Sequence, residues 1–557
     1  MSNKLPWGPK FLSFTLFPKT SQQTTFQHRQ FNNTWKPDSL LIGSVNKKIC
    51  AQGTVKTVKL IDPQIFSVQI TVNLSETEGH SFDLEDLILL EVPMSQTQLK
   101  NRSAFFSSSI PLATASNESP QGQILSQILG FSALPKILPS SNLSFSSFSQ
   151  KLFPRPNQGQ LETLDLLFNP FPSAIITEAG PGTGKSKIII MSIQKFLELE
   201  KNILITTHSN VALCRLASDI LPNLDQNSKA LLILSASAKE KYFSLFEPFM
   251  KNLLIKTLSD FNVQKLTRKE AKIINKYKIN ALKNPQKADE RSSAEIFIRD
   301  VGTEIPIIFV TLSMLEDIPS ILKLVNIIFI DEAGQAPTNQ IIHILSLAPN
   351  LEKILAAGDP KQLQVRSSEL PEELLQYGFN SFLSHLISIP NIPNTKLTIS
   401  YRGHPILTQC LADSLYHGDI VAGVTAEQRS MITSSNFPLP NQNAPLLLVD
   451  LPNPDYRELT SFSRLNSAQN HIAHSILSLL SLILPPSASI TCLCLYSAQA
   501  KAIRSLTPLN VTVLTVDSFQ AQESDAIVLI TTRSLPTTPD EMSRSLSQQS
   551  FSCYFPG

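Results

Sequence analysis

A glycine-rich segment, Ala179-Gly-Pro-Gly-Thr-Gly-Lys-Ser186, has the residue types and the spacing of a phosphate-binding loop. Glycine lets several backbone N–H groups turn toward one anion, and the helix that follows adds the positive end of its dipole. Lys185 is predicted to reach the β- and γ-phosphates of a nucleotide, and Ser186 to hold a Mg²⁺ ion. The strict pattern opens with glycine, where this chain has Ala179. The predicted phosphate-binding residues are Gly182, Thr183, Gly184, Lys185 and Ser186.

An acidic pair, Asp331-Glu332, directly follows the apolar run Ile327–Ile330. Carboxylates at a strand end are by themselves weak evidence for a metal or catalytic site. This pair indicates such a site because a phosphate loop precedes it in the sequence. Asp331 is predicted to bind Mg²⁺, and Glu332 to activate the attacking water as a general base. The two segments together predict a site that uses ATP and Mg²⁺.

Short apolar runs alternate with helical segments from residue 157 onward and would position these residues. Such runs are typical of a parallel sheet that is covered by helices on both faces, which predicts an α/β fold. The predicted strands are Ala174–Thr177, Ile203–Thr206, Ile307–Val310, Ile327–Ile330 and Ile354–Ala357.

Further motifs resemble those of the superfamily 1B helicases of the up-frameshift/senataxin-like family. Asp331-Glu-Ala-Gly-Gln-Ala336, Gly358-Asp-Pro-Lys-Gln-Leu363 and Tyr401-Arg-Gly-His-Pro405 are the most specific matches. About ten matches fall in the family's order between residues 157 and 533, which is far more specific than any one motif. The remaining matches are Asn157–Gln160, Thr207–Ala212, Thr311–Ser313, Tyr416–Gly418, Ser463–Asn466, Tyr496–Gln499 and Thr515–Glu523.

The resemblance implies roles for residues around the nucleotide. Gln362 would sense the γ-phosphate, and Gln160 would read the adenine. Tyr401 would pack on the adenine, and Arg402 would reach across the cleft as an arginine finger. Glu523 would contact the ribose.

The resemblance also implies binding of single-stranded RNA or DNA through backbone contacts that do not read sequence. Ser209, Asn210, Thr311 and Thr515 are the expected contacts, and the expected direction of movement is 5′ to 3′. RNA differs from DNA by its 2′-hydroxyl, and no residue in the sequence is assigned to that group.

Several positions depart from the family pattern: Gly403 replaces Met, Gln469 replaces Glu and Ala521 replaces Gly. No match to the family's last motif, Asn-Val-Ala-Leu-Thr-Arg-Ala-Lys, follows Arg533. We therefore expect a chain truncated before that motif, with uncertain turnover. One alternative is an ATP-binding clamp or scaffold with little or no hydrolysis; a second is a P-loop ATPase that is not a helicase.

The predicted fold is α/β, with two RecA-like P-loop domains, a small N-terminal β-barrel and a helical insertion. One short helix is expected near 124–129. The predicted boundaries are 1–36 for a flexible N-terminus, 37–97 for the barrel, 98–155 for a Ser/Pro-rich linker, 156–390 for the first RecA-like domain with its insertion at 225–299, and 391–557 for the second, incomplete RecA-like domain.

Composition constrains the remaining function classes. The chain of 557 residues has 47 Lys+Arg and 45 Asp+Glu, so a nucleic-acid site must be a local groove. Its six cysteines have no zinc-binding spacing. Free cysteines fit a reducing compartment. No apolar run reaches the ~18 residues of a membrane span. We expect an intracellular protein, cytoplasmic or nuclear, without a membrane partner.

Overall fold

The computed structural model describes residues 9–16, 40–45, 48–62, 65–74, 88–92, 119–130, 155–170, 173–224, 229–235, 238–239, 252, 266–284, 291–362, 364–365, 378–390, 392–451, 456–457, 463–519 and 522–533. The chain divides into two compact units: residues 1–112 with 366–380, and residues 113–365 with 381–557. The predictions for Ala521 and for the tail 534–557 lie outside the described residues.

The first unit contains an antiparallel sheet of five described strands in the order β1-β4-β3-β2-β5. The prediction of a flexible N-terminus over 1–36 is wrong for β1, which pairs with β4 along its whole length. Apolar and polar residues alternate from Leu12 to Leu16, a period that favours a strand. Closure of this sheet into a barrel stays a prediction. The strands are β1 (Pro9–Leu16), β2 (Leu40–Val45), β3 (Lys48–Asp62), β4 (Ile65–Leu74) and β5 (Ile88–Val92).

The second unit contains a parallel sheet whose described strands have the order β12-β6-β11-β10-β7-β9-β8. Strands β7, β9, β10 and β11 are buried along their whole length, as expected for a sheet covered on both faces. The strands are β6 (Ala174–Ala179), β7 (Ile203–Thr207), β8 (Ala230–Ile233), β9 (Ile307–Thr311), β10 (Ile327–Asp331), β11 (Lys353–Gly358) and β12 (Asn394–Leu397).

Two strands of this sheet correct the predicted boundaries. Strand β8 lies inside the predicted insertion 225–299 but pairs with β9. Strand β12 lies inside the predicted second domain 391–557 but pairs with β6. Both strands have four residues, too few for a periodic pattern, so their pairing partners and not their own sequences decide the sheet to which they belong.

A second parallel sheet, in the order β18-β17-β19, forms the later part of this unit among the described residues. Its core includes Leu477, Cys492 and Ile503, all fully buried. The α/β fold class with two RecA-like parallel sheets is therefore confirmed. The remaining strands are β13 (Ile399–Ser400), β14 (Val421–Ala422), β15 (Tyr456–Arg457), β16 (Arg464–Leu465), β17 (Ile490–Cys494), β18 (Val511–Thr515) and β19 (Ala526–Ile530).

Helices cover the two parallel sheets, and several begin at a side-chain cap. Asn157 and Thr267 form capping boxes, and Ser209 and Asn466 each accept a backbone N–H. The helices are α1 (Pro120–Ile128), α2 (Gln158–Phe168), α3 (Lys185–Glu198), α4 (Asn210–Ile220), α5 (Arg268–Lys283), α6 (Arg291–Val301), α7 (Leu312–Leu315), α8 (Thr338–Ser346), α9 (Phe382–Ser388), α10 (Pro405–Leu415), α11 (Ser467–Ile483) and α12 (Ser497–Arg504).

Helix α1 shows that part of the predicted linker 98–155 is integral to the second unit. Gln121 Nε2 donates to the carbonyl oxygens of Leu345 and Ser346, at 3.0 and 2.8 Å. Ile124 and Ile128 are fully buried. Among the described residues, no helix combines the length and the apolar character needed to cross a membrane.

Candidate nucleotide site

The phosphate loop connects the end of β6 to the start of α3. Gly182 and Gly184 have φ angles of 69° and 91°, in the left-handed region that favours glycine. A Cβ atom at Gly182 would lie 2.4 Å from the Cβ of Arg402, and one at Gly184 would lie 2.6 Å from Gln160 Nε2. Glycine is therefore required at both positions by the backbone conformation and by the neighbouring side chains.

The two residues predicted at the adenine lie at one end of this loop. Gln160 Oε1 accepts from the backbone N–H of Asn157 at 3.1 Å, and its Nε2 lies 3.5 Å from Thr183 O. Asn157 Nδ2 in turn donates to the hydroxyl of Tyr401 at 3.1 Å. Tyr401 is 37% exposed and has Lys187 Nζ 6.0 Å from its ring centroid. Gln160 and Tyr401 are thus brought together, and Tyr401 is partly open to solvent.

Lys185 and Glu332 form a largely buried ion pair where the loop joins α3. Lys185 Nζ donates to Glu332 Oε1 at 2.7 Å. Burial alone would lower the pKa of Lys185, but the carboxylates of Glu332, Asp331 and Asp359 outweigh it and raise that pKa. Glu332 has a φ of 52°, an unusual backbone conformation for a side chain of this size. Such strained positions are common in active sites.

Asp331 lies beside this pair at the end of β10. Burial raises the pKa of Asp331 to about 6, with Lys185 opposing and Glu332 adding to the shift. Among the described atoms, its Oδ1 is buried without a hydrogen-bond partner. Ser186, the other predicted Mg²⁺ ligand, is the second residue of α3 and lies near the side chain of Asp219.

These oxygen ligands fit Mg²⁺, which usually takes one or two carboxylates and completes its shell with phosphate and water oxygens. The orphaned Oδ1 of Asp331 provides one such ligand. Within the described part of the chain, no group of three or more His, Cys, Asp or Glu side chains could hold a metal.

Gln362, the predicted γ-phosphate sensor, is held by Asp359. Asp359 accepts from Gln362 Nε2 at 2.9 Å, from Lys361 N at 2.9 Å and from the hydroxyl of Tyr416 at 2.5 Å. Burial raises the pKa of Asp359, although these hydrogen bonds and Lys185 oppose the shift. The sequence singled out Gln362 and Tyr416 separately and did not predict that Asp359 links them.

Arg402 does not extend from the second sheet, so the expected reach across the cleft is wrong. The backbone N–H of Tyr401 donates to Gly182 O at 2.9 Å, and Ser400 Oγ donates to Pro181 O at 2.8 Å. These bonds attach the segment to the phosphate loop. The contact with the second sheet comes from Glu523, whose Oε1 accepts from Arg402 Nε at 3.1 Å and Nη2 at 2.6 Å.

A cavity of about 110 Å³ lies where these side chains meet. It brings together eight of the predicted site residues with two charged residues that the sequence did not indicate, Arg215 and Asp219. Both lie on α4, four residues apart, and their spacing predicted only a shared helix face. The predicted site residues that line the cavity are Gly182, Lys185, Ser186, Asp331, Glu332, Gln362, Arg402 and Glu523.

The residues predicted to contact nucleic acid lie at carboxyl ends of strands. Thr207 pairs with both Thr311 and Asp331, so β7, β9 and β10 end at one level. Thr311 is only 1% exposed and cannot contact a strand in this conformation, whereas Ser313 of the same motif is exposed.

Of the other three predicted contacts, Ser209 and Thr515 make local hydrogen bonds through their hydroxyl groups. Ser209 caps α4 by accepting from Ala212 N at 3.1 Å. Among the described atoms, Asn210 Oδ1 is buried without a hydrogen-bond partner. Thr515 ends β18, and its hydroxyl lies 2.8 Å from Ser518 Oγ.

Comparison with known proteins gives matches on both parallel sheets. Two family models, each described as an AAA domain, match residues 156–365 and 379–548, which together are more than half of the chain. The DNA polymerase alpha-associated DNA helicase A of Saccharomyces cerevisiae is 26% identical over 436 residues, which cover 71% of this chain and 63% of that protein. Regulator of nonsense transcripts 1 of Dictyostelium discoideum is 26% identical over 412 residues, 70% of this chain and 29% of that protein.

Among solved structures, that of Arterivirus nonstructural protein 10 (helicase) covers 95% of this chain and 72% of its own, with 10% identity and a TM-score of 0.32, too low to support an argument. This chain spans less than two thirds of the length of the two relatives above. The family matches enclose the ordered motifs and the cavity that they build, and the chain belongs to the superfamily 1 helicases of the up-frameshift type.

Proposed function

We propose that this chain couples ATP hydrolysis to movement on single-stranded RNA or DNA, as a helicase or translocase. The observation that carries the proposal is the meeting of Lys185, Asp331 and Glu332 at a cavity that Glu523 reaches from the second sheet. A phosphate-binding cation, a metal-binding carboxylate and a second carboxylate able to act as base are what ATP hydrolysis needs. Because both sheets line this cavity, an event inside it can alter the contact between them.

The residues around the phosphates would act as follows. Lys185 would leave Glu332 and bind the β- and γ-phosphates, which frees Glu332 to accept a proton from the attacking water. Ser186 and Asp331 would hold Mg²⁺, which neutralises charge on the phosphates when it is bound. Gln362 would contact the γ-phosphate from its position on Asp359.

The residues at the nucleoside end would fix its orientation. Gln160 and the exposed ring of Tyr401 would bind the adenine. Arg402, attached to the phosphate loop by its neighbours, would exchange Glu523 for phosphate oxygens. Glu523 would then be available to a ribose hydroxyl.

The nucleic acid would bind along the carboxyl ends of the strands. Ser209, Asn210, Ser313 and Thr515 offer short polar groups that suit contacts with the sugar-phosphate backbone rather than with base edges. Binding of this kind is nearly independent of sequence and weakens as salt rises. The resemblance to the family supports 5′-to-3′ movement.

The deciding measurement is steady-state phosphate release from ATP and Mg²⁺, with and without single-stranded RNA or DNA. We expect hydrolysis that rises when either single strand is added, and strand binding that weakens when salt is raised. Hydrolysis that no strand stimulates, together with strand binding that ignores salt, would refute the proposal. A duplex without single-stranded ends serves as the control nucleic acid.

A further inference from the structure

Arg215 is a third cation at the cavity that holds Lys185 and Arg402. It lies on α4, three residues beyond the motif Thr207–Ala212 that the sequence singled out. The helix lies beside the phosphate loop, since Arg215 and Asp219 line the same cavity as Lys185 and Ser186 at the start of α3. The position of Arg215 therefore follows from two helices that both contact the phosphate end of the site.

The ion pairs of Arg215 are long compared with those of the other two cations. Its Nη2 lies 3.9 Å from Glu523 Oε2, and its Nε lies 3.8 Å from Asp219 Oδ1. Both distances exceed the range of a hydrogen bond. Lys185 and Arg402, in contrast, donate to carboxylates at 2.7 and 2.6 Å. Arg215 thus gives up the least when an anion enters the cavity.

The chemistry of the guanidinium suits a phosphate in particular. Its planar set of donors matches two phosphate oxygens at once, and such charged hydrogen bonds are stronger than neutral ones. The Arg215 side chain is 46% exposed, so it can turn toward an entering ligand without leaving a buried site. Glu523 is shared between Arg215 and Arg402, so one carboxylate is divided between two guanidinium groups, and the closer contact is with Arg402.

We propose that Arg215 is a phosphate-binding residue of this site, which binds the terminal phosphate of a nucleoside triphosphate together with Lys185. The proposal rests on the function proposed above and adds a residue that no sequence motif indicates. Arg215 lines the small cavity with Gln362 and Lys185, the residues assigned to the γ-phosphate, and it also lines a larger cavity that includes Tyr401. We place it at the γ-phosphate because Gln362 lines only the small cavity of these two. It should therefore distinguish a triphosphate from a diphosphate.

The test is titration of the protein with fluorescent ATP and ADP analogues in the presence of Mg²⁺. For Arg215→Ala we expect affinity for the ATP analogue to fall ~10-fold or more, as for other charged hydrogen bonds. Affinity for the ADP analogue should change by less than about twofold, since the lost contact is to the terminal phosphate. Arg215→Lys keeps the charge without the paired donors and should give an intermediate loss.

Arg291→Ala is the matched control. Arg291 is the first residue of α6, is 52% exposed and pairs with Asp317 at 3.2 Å, but it does not line the cavity. We expect its affinities to equal those of the wild type.

The possible failures can be told apart. If the wild-type chain binds neither nucleotide, the proposed function fails and this inference with it. If the wild type binds both, and Arg215→Ala binds both equally well, only the inference is overturned. An equal loss for both nucleotides, or a lower thermal unfolding midpoint shared by Arg215→Ala and Arg215→Lys, would indicate a structural role and would also overturn it.

Discussion

Two cation–carboxylate pairs line the cavity, and they differ in burial and in what holds them. Lys185 and Glu332, both on the side of the first sheet, lie 2.7 Å apart with side chains 15% and 13% exposed. Arg402, whose segment is attached to the phosphate loop, and Glu523, from the second sheet, lie 2.6 Å apart but are 30% and 47% exposed. The two ion pairs therefore have similar N–O distances but differ in their exposure to solvent.

The elements behind each pair explain this difference. Lys185 follows β6 and Glu332 follows β10, and both strands flank β11 in one buried sheet. The geometry of the first pair is therefore set by the register of the sheet. The second pair joins the phosphate loop to a segment between β18 and β19, so its distance depends on how the two sheets are placed. The first pair therefore has the fixed geometry that a catalytic step needs. The distance within the second pair would change if the two sheets moved apart.

Lys185→Ala is the change with the largest expected effect. It removes the main side-chain cation for the phosphates and leaves Glu332 and Asp331 buried without their partner, which is costly. We expect affinity for an ATP analogue to fall by ~100-fold or more, since several charged hydrogen bonds are lost together.

The matched control for this change is Lys195→Ala on the same helix. Lys195 also pairs with a glutamate, Glu198, at 3.1 Å, but the two side chains are 32% and 52% exposed, and pairs with that much solvent contact contribute little. Nucleotide affinity that is the same in Lys185→Ala, Lys195→Ala and the wild type would show that this segment is not a phosphate loop.

Glu332→Gln separates binding from chemistry on the same side of the cavity. The amide keeps the size of the side chain and an acceptor for Lys185, but it cannot take a proton from water. We expect nucleotide affinity near that of the wild type and phosphate release slower by ~100-fold or more, the usual effect of losing a general base.

Glu352→Gln provides the comparison for Glu332→Gln. Glu352 pairs with Lys201 at the same 2.7 Å but lies outside the cavity, so its loss should leave the rate unchanged. If phosphate release by Glu332→Gln equals that of Glu352→Gln, Glu332 is not the base.

The surroundings of the Lys185–Glu332 pair could largely be predicted from the sequence, because they are built from local sequence patterns. Gly182 and Gly184 predict a left-handed turn, and an apolar run followed by Asp331-Glu332 predicts the end of a strand. The parallel arrangement of the strands follows from their burial and from the helices between them.

The surroundings of the Arg402–Glu523 pair were harder to predict, because they depend on contacts between residues that are distant in sequence. Strand β12 and the Tyr401-Arg402 segment belong to the first sheet through bonds to β6 and the phosphate loop, and no local pattern shows this. The burial of Thr311 and the position of Arg215 likewise depend on neighbouring elements. Short strands and helix faces become defined only when their partners are known.

Glu523→Gln tests the second pair and has the smallest expected effect. The amide retains an acceptor for a ribose hydroxyl, but it no longer holds Arg402 and Arg215 by charge. If phosphate and Glu523 compete for these arginines, the weaker hold of the amide on them should raise the affinity of the protein for the ATP analogue. The gain should not exceed about fivefold, since an exposed ion pair is worth up to ~1 kcal/mol. It should shrink at high salt, which screens exposed charges more than buried ones. Titrations at low and high salt measure both effects. A fall in affinity, or a gain that salt does not reduce, would mean that Glu523 acts on the nucleotide directly and that the second pair does not compete with it.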